Sequence, residues 1–151
     1  MPVTLLKVTK AEWERDPQLA LDLARIYADV PAERLPLPAG DYIRDQLERQ
    51  GTFCCGRFND RLLGAVAMNV VDDAWWLSNL CIRKTTRRRG VASRLVTLIC
   101  QEAFRDGYLL RVAASTLMLG DELLLKRLGF RLVANGEHYE MDPKASLGGK
   151  G

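Results

Sequence analysis

The chain has 151 residues, 27% of them charged and 48% hydrophobic, with a net charge of +3. This composition excludes a disordered or fibrous chain and predicts a globular protein able to bury a core without disulfide or metal staples. The mild charge does not by itself point to nucleic acid or membrane surfaces, no apolar run reaches the length of a membrane span, and the start of the chain shows no basic and apolar leader, so a cytoplasmic protein is expected.

In chain order, Val3 to Thr9 alternates as a first strand. Pro17 opens a helix whose apolar face is Leu19, Leu23, Ile26, Tyr27 and Val30. Pro31, Pro36 and Pro38 break the pattern, and a second helix is predicted from about Asp41, as N-cap, to Gln50. Strands follow at Thr52–Phe58 and Arg61–Val71, joined by the tight turn Asn59-Asp60, and then at Trp75–Ile82. Val91, Leu95, Leu98 and Ile99 keep helical spacing up to Asp106-Gly107. Tyr108–Ala114 reads as a strand, Asp121–Leu128 as a short helix stopped by Gly129, and Phe130–Val133 and His138–Met141 as a hairpin around Asn135-Gly136. The order is that of one α/β domain with a mixed sheet, residues 1–143, followed by a flexible Gly- and Lys-rich tail, 144–151.

The cysteines are Cys54, Cys55, Cys81 and Cys100, and the sole histidine is His138. No C-x-x-C pair exists, so no metal is expected. Cys54 and Cys55 should point to opposite faces of their strand as buried free thiols. Trp75 and Trp76 should likewise divide between the faces.

The basic stretch Thr86-Arg87-Arg88-Arg89-Gly90-Val91-Ala92-Ser93 lies between a strand and a helix. A helix start exposes unpaired N–H groups and a partial positive charge. Gly90 lets the backbone approach a ligand, Ala92 leaves room, and Arg87, Arg88 and Arg89 add formal charge. Together these suit a pyrophosphate or another polyanion; on charge alone the stretch would be a solvated turn. Neither the P-loop pattern nor G-x-G-x-x-G occurs.

Ile82 is followed by Arg87, Gly90 and Ala92 at five, eight and ten residues. This spacing resembles motif A of the GNAT acetyltransferase superfamily (Arg or Gln, two residues, Gly, one residue, Gly or Ala), and Leu128-Gly129-Phe130 resembles that family's closing LGF. The resemblance implies a GNAT fold, with a mixed, mostly antiparallel central sheet flanked by helices, and acetyl-CoA (or CoA) as ligand. It implies that Leu80, Cys81 and Ile82 line the pantetheine arm and that Thr86, Arg87, Arg88, Arg89, Gly90, Val91, Ala92 and Ser93 hold the diphosphate. Two further segments, Arg57-Phe58-Asn59-Asp60-Arg61-Leu62-Leu63 and Leu80 through Val91, resemble the PanZ (PanM) group of GNAT-like acetyl-CoA sensors. That resemblance implies aspartate 1-decarboxylase, whose zymogen those proteins activate, as partner, with Arg57 and Asn59 on the contacting hairpin.

Amine acetylation needs a held thioester, a route for the amine proton and often an acid for the leaving thiolate. Where many catalytic GNAT proteins carry a tyrosine, this chain has Leu125, which donates no proton. The strand Trp75–Ile82 offers only Ser78 and Asn79 as polar residues. Tyr139 and Tyr108 are the remaining acid candidates, each equally readable as a packed strand aromatic, and His138 has a suitable pKa but follows a turn. Asp72 and Asp73 read as turn residues and Glu122 as an exposed helix residue. Three functions stand: a non-catalytic acetyl-CoA sensor, an N-acetyltransferase for a small-molecule or protein amine, and, last, a basic nucleic-acid module.

Overall fold

Thr9 and Glu12 form a reciprocal capping box at the start of a short helix, and Asp16 then caps the next one by accepting from the amides of Gln18 and Leu19. These local signals set the start of the fold in the computed structural model, which describes residues 2–87, 90–117 and 120–142. Arg88, Arg89, Met118 and the expected tail lie outside the described residues.

The elements are β1 (Thr4–Val8), α1 (Lys10–Arg15), α2 (Pro17–Ala28), α3 (Ala39–Glu48), β2 (Thr52–Phe58), β3 (Arg61–Val71), β4 (Ala74–Ile82), α4 (Val91–Asp106), β5 (Leu109–Ala113), α5 (Asp121–Leu128), β6 (Arg131–Val133) and β7 (His138–Met141). The sheet order is β1-β2-β3-β4-β5-β7-β6. Among the described strands only the β4–β5 pair is parallel. The expected mixed, mostly antiparallel α/β sheet is therefore present.

Two expectations need correction. The sequence reading has no helix at Lys10–Arg15; a six-residue helix carries too few turns to show periodicity, and its only signal is the capping box. The second predicted helix begins two residues earlier than Asp41: Pro38 takes the N-cap position and Asp41 sits in the first turn, where a carboxylate favours the positive end of the helix dipole.

Strand alternation sends residues to two cores, one on each face. Cys54, Val66, Met68, Trp75 and Leu77 pack with α4 and α5, whereas Phe53, Cys55, Ala65 and Ala67 pack with α2 and α3. The adjacent cysteines divide as expected. In the α2–α3 core, Tyr27, Tyr42 and Phe53 form a ring cluster with centroids 5.3 to 6.0 Å apart. Trp75 lies in the α4 core, and Trp76 meets the edge of His138 on the other face, 4.9 Å between centroids.

Asp22 ties α2 to the β2–β3 hairpin. It is 1% exposed and accepts from Arg61 Nε and Nη2, the Leu62 amide and Gln18 Nε2, at 2.8 to 3.2 Å. The hairpin tip uses Asn59 and Asp60 at φ 50° and 61°, the left-handed pair that a two-residue turn demands.

Candidate functional site

The site grows out of an irregularity in β4. Along β3, Ala65 and Ala67 are two residues apart, but their partners Cys81 and Ser78 are three apart. The extra residue is Asn79, at φ 54°, so β4 carries a bulge. The parallel ladder to β5 covers Ala74–Leu77 and stops there. Ser78–Ile82 are thus paired with β3 on one side and have no ladder to β5 on the other.

Two tyrosines hold the bulge. Tyr27 Oη donates to the Asn79 carbonyl at 2.9 Å, and Asn79 Nδ2 donates to Tyr42 Oη at 2.9 Å. Burial pushes the Tyr42 phenol up to about 12, against smaller opposing effects of its bonds to Asn79 and Ser78. Burial raises the Tyr27 phenol well above its ordinary value too. Both stay neutral and act as fixed hydrogen-bonding posts. Nothing in the sequence singles them out, since each falls on a regular apolar helix face.

Beside the unladdered half of β4 opens a cleft of about 470 Å³. One wall is Leu80, Cys81, Ile82, Thr86 and Arg87, leading into Gly90, Val91, Ala92 and Ser93 at the start of α4; the opposite wall is the α5 side, Gly120, Asp121, Leu124 and Arg127. Of the eleven residues picked from the sequence, these nine line one cleft, and Arg88 and Arg89 lie outside the described residues. The α5 wall is missed by sequence reasoning: Leu124 and Arg127 read as an ordinary helix, and only the fold brings it across from α4.

Gly90 precedes α4 at φ 78°, with no capping side chain. The first-turn amides therefore face the cleft side without a cap of the kind Asp16 gives α2. Lys84 N donates to Asp29 Oδ2 at 3.0 Å, and Arg87 Nε donates to the Ile82 carbonyl at 3.0 Å. These bonds tie the basic loop to the end of α2 and to the end of β4, and Arg87 remains exposed. Cys81 is 2% exposed and donates to the Ile26 carbonyl at 3.3 Å. Burial, opposed by Arg87, raises its thiol to about 11, so it is protonated at neutral pH and no nucleophile.

Beside Asn79 lies a second, small hollow. The Arg34 guanidinium donates to the Leu117 carbonyl, and Val30, Arg34, Asn79, Leu80 and Thr116 line this hollow of about 10 Å³, room for roughly one water. Leu125 is 1% exposed, within the α4–α5 core. Tyr139 is 2% exposed in the same core and is not on the cleft wall. Tyr108 packs on Trp75, 5.5 Å between centroids. His138 is held between Trp76 and Glu140. Asp121 is the one carboxylate among the described lining residues.

Arg57 and Asn59 sit apart from this cleft. Asn59 is exposed at the hairpin tip, and Arg57 is half-buried beside a second hollow of about 210 Å³ shared with Leu6, Asp16, Leu19 and Asp60.

The family profile described as acetyltransferase (GNAT) domain, PanZ, matches residues 3–128. The chain belongs to this family. Among curated proteins it is similar to the PanD regulatory factor of Salmonella typhimurium strain LT2, 35% identical over 86 residues, a match that spans 57% of this chain and 57% of that relative. Solved structures of the same fold include E. coli YhhK bound to coenzyme A, at 23% identity and TM-score 0.63 over 94% of this chain and 99% of that one. An aminoglycoside 6′-N-acetyltransferase complexed with coenzyme A aligns at 13% identity and TM-score 0.70, over 93% and 97%. PanZ-type membership thus joins the GNAT fold to a cleft built at the bulged strand. No described helix is long and apolar enough to cross a membrane.

Proposed function

We propose that the cleft binds acetyl-CoA and that the chain is an acetyl-CoA-responsive regulator of aspartate 1-decarboxylase maturation, a PanZ-like sensor in pantothenate and CoA synthesis. The observation that carries this reading is a cleft that runs from the unladdered half of β4 to the start of α4. The free edge of Ser78–Ile82 offers backbone groups to an extended amide-bearing arm, as an added strand would use them. The uncapped start of α4, with Arg87, suits a diphosphate. Leu125, buried in the α4–α5 core, supplies no acid.

The similarity to a PanD regulatory factor supports the partner, and Arg57 and Asn59 on the hairpin are the residues we assign to contact it. Four buried, free thiols suit the reducing cytoplasm, where such a partner would be met.

The test is to mix the purified chain with the cognate decarboxylase precursor and follow self-cleavage on gels, with acetyl-CoA, CoA or neither. Acetyl-CoA-dependent complex formation and faster cleavage are expected. Calorimetric binding of acetyl-CoA without any complex would overturn the partner. Sustained thiol release with an amine from a panel would instead establish an N-acetyltransferase.

A further inference from the structure

Acetyl-CoA carries two separate phosphate groups, the diphosphate and the ribose 3′-phosphate, and the start of α4 with Arg87 accounts for only one of them. The α5 wall supplies a second cation. Gly120, Asp121, Leu124 and Arg127 follow the spacing of a single helical stripe and all line the cleft. Leu124 is buried and continues the apolar lining. Arg127 lies one turn further along the wall. Its side chain is exposed, and no carboxylate among the described residues forms an ion pair with it. Asp121, nearly two turns away on the same stripe, is already engaged with a partner. Lys126, in the same turn, is not among the lining residues. Arg87 and Arg127 are therefore the two cations of the described cleft wall, on opposite sides of it.

We infer that Arg127 holds the 3′-phosphate of the CoA moiety and makes the cleft select CoA thioesters over their 3′-dephospho forms. This rests on the proposal that the cleft binds acetyl-CoA. The guanidinium fork matches phosphate oxygens bidentately, which a lysine ammonium does not reproduce. Solvent exposure keeps the contribution modest.

The experiment is a calorimetric titration of acetyl-CoA and 3′-dephospho-acetyl-CoA into the wild-type chain, Arg127→Gln and Arg127→Lys. Wild type should prefer acetyl-CoA by roughly three- to tenfold, the range for an exposed charge-assisted contact. Arg127→Gln should erase that preference while leaving the dephospho affinity unchanged, and Arg127→Lys should retain part of it. Equal wild-type affinities, or an equal loss of both ligands in Arg127→Gln, would overturn the assignment while leaving the cleft's occupant intact. Binding of neither ligand to wild type would overturn the acetyl-CoA reading itself, and this inference with it.

Discussion

The two halves of β4 carry similar side chains but do different work. Ala74–Leu77 is laddered on both sides, to β3 and to β5, and its odd residues Trp75 and Leu77 fill the α4 core. Ser78–Ile82 is laddered on one side only, begins at a bulge, and borders the cleft. The first half is ordinary sheet, stabilised by burial. The second has no ladder to β5 and is held by posts outside the sheet, Tyr27 from α2 and Tyr42 from α3. The proposed binding site sits where the pairing to β5 has been given up.

This contrast can be broken from either side. Trp75→Ala strikes the regular half and should lower stability by about 3–5 kcal/mol, the cost of emptying a large core site, read as a shift of the urea midpoint. The folded fraction should keep its acetyl-CoA affinity; a parallel loss of affinity would show that the two halves are not separable.

Asp22→Asn acts on the anchor of the helix that carries Tyr27, and should cost about 2 kcal/mol at neutral pH by weakening the charge-assisted bonds to Arg61 and Leu62. It should also remove an acid sensitivity. Burial alone would raise the Asp22 carboxyl, but Arg61, the Leu62 amide and Gln18 together hold it below the ordinary 3.8. A depressed native pKa means that the unfolded chain binds the proton first as pH falls. The contribution is thus present above about pH 4 and lost on going down through the lower native value. Wild-type stability should fall across that window more steeply than that of Asp22→Asn, as measured by urea unfolding at a series of pH values.

Tyr27→Phe should cost about 1–2 kcal/mol, since it leaves the Asn79 carbonyl without its donor. Its larger signature should be weakened acetyl-CoA binding and faster amide exchange at Ser78–Ile82 than at Ala74–Leu77. Uniform exchange along the strand would argue that the phenol does not hold the bulge. Gly90→Ala should have the smallest stability effect, about 1 kcal/mol for a Cβ at positive φ, because nothing lies within 4 Å of the added carbon. Its effect should appear in acetyl-CoA affinity, where the carbon would crowd the ligand side of the loop.

What the sequence makes legible follows the range of the interactions. Asn59-Asp60, the spacing of Val91, Leu95 and Ile99, and the stops at Gly107 and Gly129 are local signals, and all fall where the structure has them. The nine cleft residues were also readable, because motif spacing ties them to one strand end and one helix start. The bulge was not: Trp75 through Ile82 reads as an unbroken strand, and Asn79 gains its meaning only from phenols 52 and 37 residues away. Arg127 and Arg34 were invisible for the same reason, since only the tertiary fold brings Arg127 to the cleft wall and Arg34 to Leu117.

The single surplus residue at Asn79 also sets a phase. Trp75 and Leu77 point to the α4 side, and so do Leu80 and Ile82, although strict alternation would have given that side to positions 79 and 81. A β4 that kept all its residues but paired with β3 without the bulge would rotate everything after Asn79 by half a pleat. Leu80 and Ile82 would then turn toward α2, the Cys81 thiol would turn toward α4, and the basic loop would enter α4 from the wrong side. The bulge therefore works as a counting device: it absorbs one residue and so keeps Leu80 and Ile82 on the α4 side.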